Sequence, residues 1–129
     1  MAKYIITFVG DTSFCENYQV QLEGKDLIES KGRAYSLQRV EALLMASNLV
    51  IANLETPLTS QRHSTFEGHK KYIHWSDPLE SPKVFNQHNI GVVSLANNHT
   101  LDFGAEALLE TFDSLDKNKI KWFGAGLTA

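Results

Sequence analysis

Apolar positions along the chain gather into four short unbroken runs, each closed by small or polar residues. Tyr4 to Val9 reads YIITFV and ends at Gly10 and Asp11. Leu49 to Ala52 reads LVIA and ends at Asn53, Leu54 and Glu55. Gly91 to Ala96 gives way to Asn97, Asn98 and His99, and Lys121 to Phe123 begins a fourth run closed by Gly124, Ala125 and Gly126. Runs of this length without alternation predict strands covered on both faces. Between them the spacing becomes helical. Tyr35 to Ser47 sets Leu37, Val40, Leu43 and Leu44 on one stripe, and Ala105 to Lys117 does the same with Leu108, Leu109, Phe112 and Leu115. Ser81 and Pro82 predict the cap and first turn of a short helix through Val84, Phe85 and His88. Strands alternating with helices predict an α/β domain with a mainly parallel sheet and right-handed crossovers.

Two stretches break this rhythm. Glu16 to Arg33 is polar and mixed, and reads as a long loop or an irregular helix. Thr56 to Asp77 holds Pro57, Gly68 and the histidines His63, His69 and His74. A structureless span of about twenty residues inside a compact domain is usually functional or mobile. The histidine spacing matches no zinc pattern, so these side chains are expected at the surface.

Length and composition narrow the class. The 129 residues suit one domain, and 43% hydrophobic with 21% charged residues describes a globular chain rather than a disordered one. A formal charge of -3 gives no electrostatic case for nucleic acid. Lys70 and Lys71 form a local basic pair that reads as solvated surface. Cys15 is the only cysteine, which excludes an intrachain disulfide and a cysteine-built zinc site. No run approaches the roughly 18 apolar residues of a membrane span. The first run is too short for a signal peptide, so the chain reads as cytosolic or as an excised domain.

The chemistry is expected beyond the carboxyl ends of the strands, where open α/β sheets bind ligands. Three such ends carry Asp11, then Asn53 with Glu55, then Asn97, Asn98 and His99. Carboxylates and amide carbonyls are hard oxygen ligands, while imidazole suits borderline metals. Two carboxylates brought together repel unless a cation or a proton lies between them, and a metal ion is the simplest remedy. Each residue also has a plainer reading. Asp11 could cap the following segment, and Glu55 could be a solvated loop carboxylate. Asn97 and Asn98 could only form a turn. His99 could bond the backbone, and Asp102 could cap the helix starting near Gly104. Recurrence at three successive strand ends favours a shared site. The Gly124–Gly126 stretch could approach an anion, but it lacks the longer glycine fingerprint of a dinucleotide site.

Four pieces carry a family resemblance: FVGDTSF at 8–14, IANLETPLT at 51–59, VSLANNHTLDFG at 93–104 and FGAG at 123–126. They resemble the CapA family of bacterial capsule (poly-gamma-glutamate) synthesis proteins, whose members look like calcineurin-related metallophosphoesterases. The resemblance implies the N-terminal half of a layered αββα fold, truncated at the C-terminus before a late histidine-rich motif. It implies divalent metal ions (manganese, iron, zinc or magnesium) held by Asp11, Glu55 and Asn98, with His99 approaching a substrate phosphate and Asn53 and Asn97 orienting or contacting the site. The implied reaction is hydrolysis at phosphorus or another electrophilic centre, with the metals polarising its oxygens and His99 stabilising or protonating the leaving group. The other implied role is a non-catalytic or truncated member that binds an acidic polymer or a capsule-synthesis partner. An exposed sheet edge after the fourth strand would favour a homodimer. Family members are often membrane-associated or exported.

Overall fold

All four apolar runs are strands, and they lie parallel in one sheet. A computed structural model describes residues 3–16 and 27–126. Strands β1 (Ile6–Thr12), β2 (Leu49–Leu54), β3 (Ile90–Ser94) and β4 (Lys121–Phe123) stand side by side in sequence order. Every neighbouring pair is parallel, which is the expected α/β architecture. The β1–β2 register runs from Ile6 opposite Leu49 to Phe8 opposite Ile51, and then shifts so that Asp11 faces Asn53. One extra β1 residue is taken up there. Without it Gly10 would stand opposite Asn53, so the irregularity itself delivers a carboxylate to the sheet end.

Along β2, Val50, Ala52 and Leu54 are buried, whereas Leu49, Ile51 and Asn53 are half-buried. Across the register from Leu49 and Ile51, Ile6 is 48% exposed and Phe8 74%. The expected cover on both faces is therefore found on one face among the described residues. Topology explains this. Parallel strands added in one direction through right-handed crossovers place every connecting helix on the same side. The core lies beneath that side and includes Phe14, Leu44, Phe85, Leu108 and Leu115.

Helices α1 (Leu27–Lys31), α2 (Glu41–Met45), α3 (Ser81–Gln87) and α4 (Gly104–Lys117) complete the described elements, with a 3-10 helix over Arg33–Leu37. Helix α4 matches its predicted stripe through Leu108, Phe112 and Leu115, although Leu109 turns outward. Tyr35 to Ser47 is not one helix. The tighter 3-10 turn breaks the 3.6-residue spacing, so Val40 and Leu43 are exposed and only Leu44 is buried. Ser81 opens α3 instead of capping it, because Asp77 Oδ1 already accepts the Leu79 and Glu80 N–H groups, each at 2.8 Å. Residues 17–26 of the mixed polar stretch lie outside the described residues. Among the described residues no helix is long and apolar enough to cross a membrane.

The long segment between β2 and α3 holds only an isolated bridge, Leu58 to Ser76. Side chains of α4 order it. Leu58 N–H donates to Thr111 Oγ1 at 3.0 Å, and the Glu110 carboxylate accepts Thr59 Oγ1 at 2.6 Å and Ser60 N–H at 2.9 Å. The Arg62 guanidinium also lies 3.5 Å over the Trp75 ring.

Candidate functional site

The site starts from one amide. Asn53, at the end of β2, donates through Nδ2 to Asp11 Oδ1 at 2.7 Å and to Glu55 Oε2 at 2.6 Å. An amide nitrogen carries two hydrogens, so both are spent. Asn53 Oδ1 accepts from Asn97 Nδ2 at 3.2 Å, and the same Nδ2 donates to the Leu54 carbonyl at 2.8 Å. Asn97 Oδ1 in turn accepts the His99 N–H at 3.0 Å, a turn closed by its own side chain. Asn97 is thus both turn former and bridge between strand ends. Asp11, Asn53, Glu55, Asn97 and His99 form one hydrogen-bonded cluster, as their positions at three strand ends predicted.

His99 is fixed from behind. Its Nδ1 lies 2.7 Å from Asp102 Oδ2, and its Nε2 lies 3.6 Å from Glu55 Oε1. An ionised carboxylate only accepts, so Nδ1 is the donor to Asp102, and Nε2 faces Glu55. The Asp102 side chain is 3% exposed, and its other oxygen accepts from Lys70 Nζ at 2.5 Å. The plain capping reading of Asp102 is therefore corrected. Phe103 holds the N-cap position of α4 with no side-chain bond, and Asp102 is committed to the site instead. Its three-residue spacing from His99 was the available sequence signal.

The Asn98 side chain is exposed and lines two cavities, neither of which contains Asp11, Asn53 or Glu55, so it is not brought to the two carboxylates. One, of about 250 Å³, is lined by Phe66, Lys70, Leu101 and Asp102 as well. The other, of about 530 Å³, lies toward Leu95, Ala96 and the Gly124–Gly126 backbone. Gly124 has φ +87°, and a Cβ there would stand 2.7 Å from Ala96 Cβ, so only glycine allows this close backing of the Ala96–Asn97 turn.

His63 and His69 are exposed as expected, but His74 is not a surface residue. It is half-buried with its ring centroid 6.3 Å from that of His99. Burial, and then the neighbouring His99, push its proton affinity below the ordinary histidine value. Nothing in the local sequence marks it, because the fold of the long segment brings it in. Cys15 is half-buried with φ 46°, its Sγ 2.6 Å from Ser13 Oγ, and burial raises its thiol above the usual range.

Among the described residues, no three His, Cys, Asp or Glu side chains stand together in a way that could hold a metal. Asp11 and Glu55 do meet, on an amide that leaves their charges uncompensated. The two carboxylates are bridged by amide N–H groups rather than amide oxygens, which leaves Asp11 Oδ2 and Glu55 Oε1 as the acid oxygens outside that contact. They do not fit a structural zinc cage.

A parallel α/β sheet with carboxylate, amide and imidazole groups gathered at its carboxyl ends defines the general class: an α/β protein with a polar site at the strand ends. The chain belongs to the bacterial capsule synthesis protein PGA_cap family, which matches residues 5–129. It is similar to PGA biosynthesis protein CapA of Bacillus subtilis (strain 168), with 35% identity over 98 residues, covering 76% of this chain and 25% of that protein. It is also similar to capsule biosynthesis protein CapA of Bacillus anthracis, with 27% identity over 124 residues, covering 96% of this chain and 29% of that protein. The chain spans between a quarter and a third of the length of these curated relatives.

Proposed function

We propose that this chain carries a metal-dependent hydrolase site of phosphoesterase type, used in capsule or poly-gamma-glutamate metabolism. The observation that carries the reading is the pair Asp11 and Glu55 on one neutral amide, with His99 Nε2 3.6 Å from Glu55. Asp11 and Glu55 would hold the ion. A bound magnesium, manganese, iron or zinc ion would supply a Lewis acid for the oxygens of the substrate. Asn53 sets the spacing of the two carboxylates, since its hydrogens are already used, and Asn97 ties that spacing to the third strand end. Asp102 keeps the His99 proton on Nδ1, so Nε2 is the atom that takes up a proton or delivers one to a leaving oxygen.

A second reading, a non-catalytic member that binds an acidic polymer, draws on the exposed Lys71 beside the site. Calorimetric titration with manganese, paired with phosphodiester and phosphomonoester assays of wild type and His99→Ala, separates the two. The enzyme reading expects manganese binding and turnover that falls by about 10²-fold or more in His99→Ala. Turnover indifferent to His99, or no manganese binding, would overturn it. Binding of poly-gamma-glutamate without turnover would favour the second reading.

A further inference from the structure

Lys70 and Lys71 are neighbours in sequence and opposites in environment. The Lys71 side chain is exposed, its ammonium 5.1 Å from the Tyr72 ring centroid. The Lys70 side chain is 28% exposed and points inward. Its ammonium donates to Asp102 Oδ1 at 2.5 Å and to the Asn98 carbonyl at 2.8 Å. His99 Nδ1 lies 3.4 Å away, but Asp102 Oδ2 at 2.7 Å claims the proton on that nitrogen. Two donors cannot bond each other, so Lys70 reaches His99 only through the shared carboxylate.

Both contacts matter for geometry. Asp102 is a buried carboxylate, and it sets one oxygen against the His99 ring and the other against the Lys70 ammonium, so neither is left without a partner. The Asn98 carbonyl belongs to the peptide that leads into His99, so fixing it limits rotation of the backbone from which both side chains project. Lys70 itself sits on the long segment after β2, which α4 pins at Thr59 and Ser60. One ammonium thus links that segment to the turn carrying Asn98, His99 and Asp102.

We propose that Lys70 is a positioning residue of the site, fastening the Asn98 peptide and the Asp102 carboxylate so that the His99 ring holds one presentation of Nε2 toward Glu55. This rests on the reading of those residues as a metal and proton-transfer site. It also assigns the two lysines separate tasks, with only Lys71 free to meet an anion from solution.

The test compares wild type with Lys70→Met, Lys70→Arg and Lys71→Met. Manganese affinity is read by calorimetry, backbone hydrogen exchange over residues 97–103 by mass spectrometry, and folding by thermal unfolding. Lys70→Met is expected to weaken manganese binding about tenfold, as loss of an outer support typically does, and to speed exchange over 97–103 while α3 and β3 keep their protection. Lys70→Arg is expected to restore most of both, and Lys71→Met to change neither. Wild-type affinity and exchange in Lys70→Met, or an equal loss in Lys71→Met, would overturn the proposal. If wild type binds no manganese, the metal reading fails while exchange still decides: unchanged protection at 97–103 sinks Lys70 as a positioning residue. Should Lys70→Met not fold, Lys70→Gln replaces it, keeping a donor for the Asn98 carbonyl without the charge. A result identical to wild type there in both readouts would also overturn the proposal.

Discussion

At the scale of single residues, His74 shows how one side chain ties stability to pH. Burial and the nearby His99 and Lys70 disfavour its charged form, while Asp102 opposes them less strongly than burial does. The folded chain therefore binds that proton more weakly than the unfolded chain. Stability linked to neutral His74 is fully present above the unfolded value, near pH 6.5, and is lost as pH falls toward the lower folded value. His74→Gln, neutral at every pH, is expected to flatten the decline of the thermal midpoint between about pH 6.5 and 5. A decline as steep as in wild type would rule His74 out as its source. The carboxylates at the strand ends act at the same scale but could be read directly from sequence. A parallel sheet sets its carboxyl ends side by side, so Asp11, Glu55 and Asn97 were expected at one end of the sheet once the strands were recognised. Lys70 and His74 could not be read that way, because they sit on an irregular segment and their partners lie 32 and 25 positions further along the chain.

Among the elements, α4 works on two sides at once. Leu108, Phe112 and Leu115 bury one face, while Glu110 and Thr111 hold Leu58, Thr59 and Ser60. Replacing Glu110 with Ala strands a buried Thr59 hydroxyl and frees the start of the long segment. The expected loss is about 1–3 kcal/mol in urea unfolding, with faster exchange over residues 58–62 and an intact helix. A variant as stable as wild type, with unchanged exchange, would show that this bracket is incidental. Helix α4 was legible because its spacing persists for 14 residues. Residues 35–47 carried a similar stripe yet lie on the end of the 3-10 helix and on α2, since a change of helical pitch leaves no mark in hydrophobic spacing. The order of the 56–80 segment was likewise hidden, being supplied by a helix some fifty positions later. The one-residue shift in β1 that turns Asp11 toward Asn53 has no signature in composition either.

For the molecule as a whole, the bare side of the sheet is the dominant surface feature. Ile6, Phe8 and Phe123 are about half exposed or more, on strands at both sheet edges. Apolar faces and unpaired edges of this kind recruit other chains. Sedimentation of the isolated chain is therefore expected to show concentration-dependent self-association that Phe8→Thr weakens severalfold. A monomer that persists at high micromolar concentration would contradict this. The strand order carries a consequence of another kind. Among the described residues each strand pairs only with its neighbours in sequence, so during synthesis every new strand meets an edge that has already emerged. Asp11 and Glu55 can be joined through Asn53 once β2 has docked, well before His99 leaves the ribosome. The order of emergence thus puts both acids and their bridging amide outside the ribosome before the imidazole and its Asp102 support have been made.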